Sequence, residues 1–282
     1  MDDNMFIRDC LMETYIPSNF RPRSVKGIEE SVDYALVVGK NYISQLGIIP
    51  GGLKGRTVLE MGPGSDFGPA LLLASAGAKV SIIDRFVAEW QDDYHRPLYT
   101  ELRKRWPGDP GPFDAVLAAG GYHPVITVYD CAIEDMTEDQ KFDVIISNAV
   151  LEHMRDIKQA VANMARITNP SGWGFHQIDF RDHRDFSRPL EYLLYTDEEF
   201  KEKCDEVFAE FGQTYRVSEL ENIFLQSGFE IEYGQANMFA DEEYMAEFLP
   251  RLRASSSRYR DWPVDDLRKI SAFYRLRTSP RI

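Results

Sequence analysis

Thr57-Val58-Leu59-Glu60-Met61 is a short apolar run that ends at Gly62-Pro63-Gly64-Ser65, and Pro69 to Ala78 then reads as a helix closed by Gly77. No other feature limits the fold as much as this strand, glycine turn and helix. Glycines in such a turn let the backbone approach a ligand, and the helix N-terminus presents free N–H groups. About twenty residues on, Lys79-Val80-Ser81-Ile82-Ile83-Asp84 reads as a second strand with an acidic end, where a carboxylate accepts ribose hydroxyls.

The same rhythm continues along the chain. Residues 86–106 and 113–119 read as helical, and Pro124 to Tyr129 as a third strand. Phe142 to Ser147 is the fourth strand, Ile157 to Ile167 a helix, and Gly174 to Asp179 a fifth strand after an Asn-Pro-Ser-Gly turn. The region 181–228 reads as polar and helical, Phe229 to Tyr233 as a sixth strand, and Ile270 to Leu276 as a last one. Alternating strands and helices predict an α/β sheet. Residues 1–50 form an amphipathic helical segment, either a lid or a helix covering the sheet edge, ahead of a main domain over 51–282.

Two ligands suit the glycine turn. A dinucleotide site wants a third glycine three positions after Gly64, and Phe67 stands there. A diphosphate also gains nothing from Asp66 inside the loop, whereas a nucleoside carrying a cationic sulfonium tolerates Glu60 and Asp66. Open α/β sheets bind ligands outside the carboxyl ends of their strands, which puts Gly62, Gly64, Asp84, Asn148 and His153 along one rim.

VLEMGPGSDFG, SIID, IEDM and FDVIISNAVLEHM, in that order and spacing, resemble the successive motifs of class I S-adenosylmethionine-dependent methyltransferases. The likeness is greatest to the small-molecule branch (methyltransferase type 11) that includes the ubiquinone and menaquinone methyltransferases. The resemblance covers roughly residues 40–180. It implies a Rossmann-like, doubly wound, mostly parallel seven-stranded sheet with helices on both faces, N-terminal helices, and a helical insertion over 181–226 that sets acceptor specificity. It also implies that Glu60, Gly62, Pro63, Gly64 and Ser65 surround the methionine portion of S-adenosylmethionine and that Asp84 holds the ribose hydroxyls. Arg85 then lines the adenosine, Cys131, Ala132 and Ile133 flank the adenine, and Asn148, Ala149 and His153 lie by the methionine. The loop departs from many members at Asp66, where they carry a glycine.

Methyl transfer from a sulfonium is an in-line displacement in which the enzyme aligns the reactants and excludes water. A hydroxyl acceptor also needs a base, and histidine suits neutral pH. Among five histidines, His183 with Asp179 is the preferred base pair, in the charged stretch Gln177 to Asp185 that leaves the fifth strand; His153 is a further candidate. Arg181, Arg184 and Tyr42 are the candidate substrate contacts. His176 reads as a core residue, and the cluster from Glu89 to Arg96 is either a second candidate group for the acceptor site or an exposed helix.

Charge narrows the partners. The 282 residues carry a net −14, which disfavours phosphate backbones and anionic lipid, so neither nucleic acid nor membrane is an expected partner. No apolar run approaches a membrane span, and MDDNMFIRDC lacks the layout of a leader, so a cytoplasmic protein is expected. Cys10, Cys131 and Cys204 are too scattered for a disulfide framework or a zinc knuckle, and no metal is expected. Residues 251–282 hold nine basic residues against three acids, a basic end that docks on the acidic helices at 197–210 and 241–247, within the chain or across a homodimer. Alternatively Ser257 to Arg260 borders the acceptor pocket and receives an anionic group.

The expected function is methyl transfer to a small-molecule acceptor at oxygen. N-methylation, a non-catalytic cofactor-binding homologue and a nicotinamide-dependent oxidoreductase are the rivals.

Overall fold

The computed structural model describes residues 27–205 and 212–278. Cys10 and the side chain of Cys204 lie outside what is described. The described residues divide into two compact units, one of 27–148 with 166–175, the other of 149–165 with 176–278.

In the first unit, α1 (Ile28–Leu46) buries Val32, Ala35, Leu36, Gly39, Tyr42 and Leu46, one stripe at helical spacing. The strands β1 (Thr57–Met61), β2 (Lys79–Asp84), β3 (Ile126–Asp130) and β4 (Phe142–Asn148) follow in parallel, linked by α2 (Gly68–Ser75), α3 (Asp92–Arg105) and α4 (Gly111–Ala119). β1, β2 and β4 are buried almost throughout, as strands covered on both faces are. α1 packs on α2 through two missing side chains. A Cβ on Gly39 would lie 2.4 Å from Leu72 Cδ1, and one on Gly68 2.6 Å from the Ala35 Cβ.

The remaining elements are α5 (Ile157–Ile167), β5 (Thr168–Asp179), α6 (Asp197–Phe200), α7 (Val217–Gln226), β6 (Phe229–Phe239), α8 (Glu242–Ala254), α9 (Val264–Leu267) and β7 (Lys269–Thr278). All seven strands form one sheet in the order β3-β2-β1-β4-β5-β7-β6, with β6 and β7 antiparallel. The expected mostly parallel, seven-stranded α/β sheet is therefore present.

Several boundaries differ from expectation. β5 starts at Thr168 rather than after the Asn-Pro-Ser-Gly segment, and accommodates Ser171 in a left-handed conformation. β6 continues to Phe239 because β7 offers it a long antiparallel partner. Among the described residues between Asp179 and Val217, regular helix is confined to short turns, at Glu191–Leu194, α6 and Lys201–Asp205.

What orders that region is a second apolar core. Tyr192, Leu193 and Phe200 pack with Tyr244, Phe248 and Leu252 of α8, and with Tyr259 and Leu267. Its ends are anchored by buried polar groups. Tyr192 Oη donates to the Phe180 carbonyl at 2.7 Å. The buried Arg216 guanidinium donates to the carbonyls of Phe180 (3.1 Å), Leu267 (3.2 Å) and Lys269.

The basic end is satisfied inside the second unit, mostly by other acids than expected. Arg251 pairs with Glu191 (2.5 Å), Arg258 with Glu219 (2.7 Å) and Asp197 (3.2 Å), and Arg275 and Arg277 with Glu232. Ser257 and Tyr259 are buried, with hydroxyls donated to the carbonyls of Leu193 and Thr214. That consumes the segment 257–260 as packing, not as an anion receptor.

Candidate active site

In the first unit the strand registers bring the cofactor motifs together. Met61 pairs with Ile83 on one side and Ser147 on the other, so Gly62, Asp84 and Asn148 follow side by side at the carboxyl ends. The strand order reverses between β1 and β4, the place where open α/β sheets form a ligand crevice.

The turn itself is built for close approach. Gly62 (φ 61°) and Gly64 (φ 76°) are left-handed, and a Cβ on Gly64 would meet nothing within 4 Å, so open space lies beside the loop. Asp66 Oδ1 accepts the Gly68 N–H at 2.9 Å and caps α2. Phe67 adopts a left-handed φ of 49°, the conformation a glycine would take. Its ring is fully buried, 4.4 Å from that of Tyr122, which offsets the backbone cost.

Behind the loop stands a support on α3, where an exposed helix or an acceptor-side cluster is expected from the sequence. His95 on α3 is fully buried, and its Nδ1 accepts the Gln91 N–H at 2.8 Å, leaving Nε2–H to face the Ser65 carbonyl at 3.1 Å. Tyr122 Oη lies 2.9 Å from the same Nε2, and Tyr99 Oη donates to the Asp66 carbonyl. Burial lowers the His95 pKa, which keeps the ring neutral. The available signal was the apolar stripe Tyr94, Leu98, Tyr99 and Leu102, which marks one face of α3 as buried.

Two buried acids give the loop its electrostatics. Burial, then the charge of Asp66, pushes the Glu60 pKa up to about 8, although the Tyr42 hydroxyl hydrogen-bonds the carboxylate. Among the described residues Glu60 Oε2 has no hydrogen-bond partner. Burial also raises Asp84 to about 6; its Oδ1 accepts the Phe86 N–H at 2.8 Å. An orphaned buried carboxylate oxygen beside a second acid fits a cationic ligand and opposes a diphosphate.

The other expected residues of this unit take varied places. Tyr42 is buried against Glu60. The Arg85 guanidinium lies 5.0 Å from the Phe86 ring centre. Asn148 Nδ2 donates to Tyr34 Oη at 3.3 Å. Ile133 is buried on a short turn after β3, whereas Cys131 and Ala132 are half-buried; burial raises the Cys131 thiol pKa.

The second unit holds the remaining candidates. Ala149 is left-handed (φ 55°), and its N–H donates to the Gln177 carbonyl at 2.9 Å. The turn Leu151–His153 follows. Glu152 is buried: Oε1 accepts the Asp179 N–H at 3.3 Å, its carbonyl accepts the Gln213 N–H at 2.8 Å, and burial raises its pKa well above the carboxylate range. Asp179 is gripped by Arg181, whose N–H, Nε and Nη2 donate at 3.0, 2.8 and 2.5 Å. His183 Nε2 lies 3.7 Å from Asp179 Oδ2, and its ring centre is 4.8 Å from that of His153. Arg184 turns away, donating to Asp182 (2.9 and 2.5 Å) and to Tyr195 Oη (3.3 Å). His176 is fully buried, and burial drops its pKa to about 3, which makes it a core residue. Glu152, buried beside these candidates, is not singled out by any motif in the sequence.

A family model for the methyltransferase domain matches residues 40–233. The chain belongs to that family. It is a class I S-adenosylmethionine-dependent methyltransferase, and S-adenosylmethionine is its cofactor. A solved S-adenosylmethionine-dependent methyltransferase from Mesorhizobium loti is 14% identical, over 80% of this chain and 92% of its own, with a TM-score of 0.47. Phosphoethanolamine N-methyltransferase 2 of Haemonchus contortus, solved with S-adenosylmethionine, is 15% identical over 88% of this chain and 52% of its own, with a TM-score of 0.48. No curated protein matches the sequence. Among the described residues, no helix of this methyltransferase is long and apolar enough to cross a membrane.

Proposed function

We propose that this methyltransferase methylates a hydroxyl of a small cytoplasmic molecule. In its cofactor site Glu60, Gly62, Pro63, Gly64 and Ser65 surround the methionine portion, with Asn148 and Ala149 nearby. Asp84 accepts the ribose hydroxyls, Arg85 lines the adenosine, and Cys131, Ala132 and Ile133 flank the adenine. When bound, S-adenosylmethionine supplies a methyl group on a cationic sulfur. Tyr42 holds the Glu60 carboxylate in place through its hydroxyl.

On the acceptor side, His183 and Asp179 take the hydroxyl proton, and Arg181 orients Asp179. The observation that carries this reading is the pairing of His183 with Asp179 at 3.7 Å, an imidazole and a carboxylate held in one place. A hydroxyl acceptor loses its proton as it attacks, a step such a pair assists. Segment 181–226 sets the choice of acceptor.

The experiment is a screen of small-molecule extracts with a methyl donor labelled in its methyl group, followed by bond analysis of the product. Label in a methyl ether or ester supports the reading. Label on nitrogen, or only on protein or nucleic acid, overturns it.

A further inference from the structure

Glu152 and His153 are neighbours on one short turn, and His183 comes from the segment beyond β5. One ring nitrogen of each histidine and a carboxylate oxygen of Glu152 all lie within 4.8 Å of one another. Glu152 is buried, and among the described residues its Oε2 has no hydrogen-bond partner. A carboxylate needed only to tie down β5 would be served by the Oε1 contact with Asp179 N–H alone. A buried oxygen left without a donor is costly unless a cation or a proton meets it.

We propose that Glu152, His153 and His183 bind a divalent transition-metal ion, zinc or a first-row neighbour, whose open position receives the acceptor oxygen. Two imidazole nitrogens and one carboxylate select this class, because calcium and magnesium favour shells of oxygen. Metal bonds of about 2.0–2.2 Å place donor atoms roughly 3–3.5 Å apart, so the side chains close by about 1 Å. Side-chain torsions supply that movement, since two of the donors share one turn. Three protein ligands leave room for a substrate oxygen, and a divalent ion acidifies a bound hydroxyl. With His183 held on the metal, the base role given above to the His183–Asp179 pair falls to Asp179, whose Oδ2 lies 3.7 Å from His183 Nε2. The scattered spacing of the three residues hides the set from the sequence, where no metal pattern is visible. The acceptor's part rests on the oxygen-methylation reading above; ion binding does not.

The test uses the full chain, stripped with a chelator and titrated with cobalt(II), then with zinc in competition. A visible ligand-field band that saturates at one equivalent is expected, and zinc should displace it. His153→Ala, His183→Ala and Glu152→Gln should each weaken binding by about 100-fold or more, since even outer-shell changes cost 10–100-fold. Far-UV circular dichroism and the melting temperature of the same variants check that they fold. Histidine-ring NMR of the unaltered chain needs no variant: zinc should shift two of the five rings, those of His153 and His183. No band at excess cobalt, a band that survives in both histidine variants, or zinc shifts on His95, His123 or His176 overturns the proposal. Because ion binding is read without turnover, a nitrogen-methylated product would overturn the oxygen reading and leave this one standing.

Discussion

Replacing Glu60 by Gln should move stability and cofactor affinity in opposite directions. Burial and Asp66 raise the Glu60 pKa from 4.5 to about 8 in the cofactor-free fold. A pKa raised on folding gives a stability contribution that is complete below the unfolded value and is lost as pH climbs to the folded one. By pH 7 the loss spans about 2.5 pH units, or about 3.5 kcal/mol at roughly 1.4 kcal/mol per unit. Glutamine binds no proton and escapes that loss. Cofactor-free Glu60→Gln should therefore melt about 5–10 °C above the parent at pH 8, with the gap nearly closed at pH 5. Binding runs the other way, because a cationic cofactor favours the ionised carboxylate. At pH 7 a group of pKa about 8 is about nine-tenths protonated, so cofactor binding to the parent should release about 0.9 proton. The affinity of the parent should rise about tenfold from pH 7 to 9, beyond any change seen in the variant. Calorimetry in two buffers of different ionisation enthalpy counts the proton, and scanning calorimetry gives the melting points. Release of less than about 0.3 proton at pH 7, or a variant that melts below its parent at pH 8, would refute the reasoning.

Two further substitutions probe the same unit. Asp84→Ala should weaken S-adenosylhomocysteine binding by about tenfold or more, the worth of a charged hydrogen bond, in a titration against the parent; equal affinity would show that the ribose is held elsewhere. Gly68→Ala should cost about 1–3 kcal/mol by denaturant unfolding, because its Cβ would press on that of Ala35, 2.6 Å away; an unchanged midpoint would mean α1 can retreat without cost.

The cofactor half of the molecule was legible because its signals are local. A strand, a glycine turn, a helix and an acid at the end of the next strand occupy Thr57 to Asp84 without interruption, and each follows from short-range backbone physics. Phe67 shows where that logic thins: its backbone behaves as the absent glycine would, sustained by a ring contact with Tyr122, 55 residues later. His95 was hidden for the same reason, since its partners are the backbone of Ser65 and the hydroxyl of Tyr122. Glu152 drew no attention because its burial depends on β5 and on the segment at Gln213. The arginines of the last thirty residues were recognised as a block, yet charge alone does not choose among acids. Glu191, Glu219 and Glu232 take Arg251, Arg258, Arg275 and Arg277 because the chain path delivers those three.

The double fastening at Phe180 has a practical consequence. One carbonyl receives both Tyr192 and Arg216, and Arg216 also reaches the backbone on either side of Arg268. The main-chain members of that clasp are indifferent to side-chain identity, so substitutions at Leu267, Arg268 or Lys269 leave its acceptors in place. A change at Arg216, by contrast, loosens the end of β5 and the start of β7 together, because one guanidinium is the fastening of both.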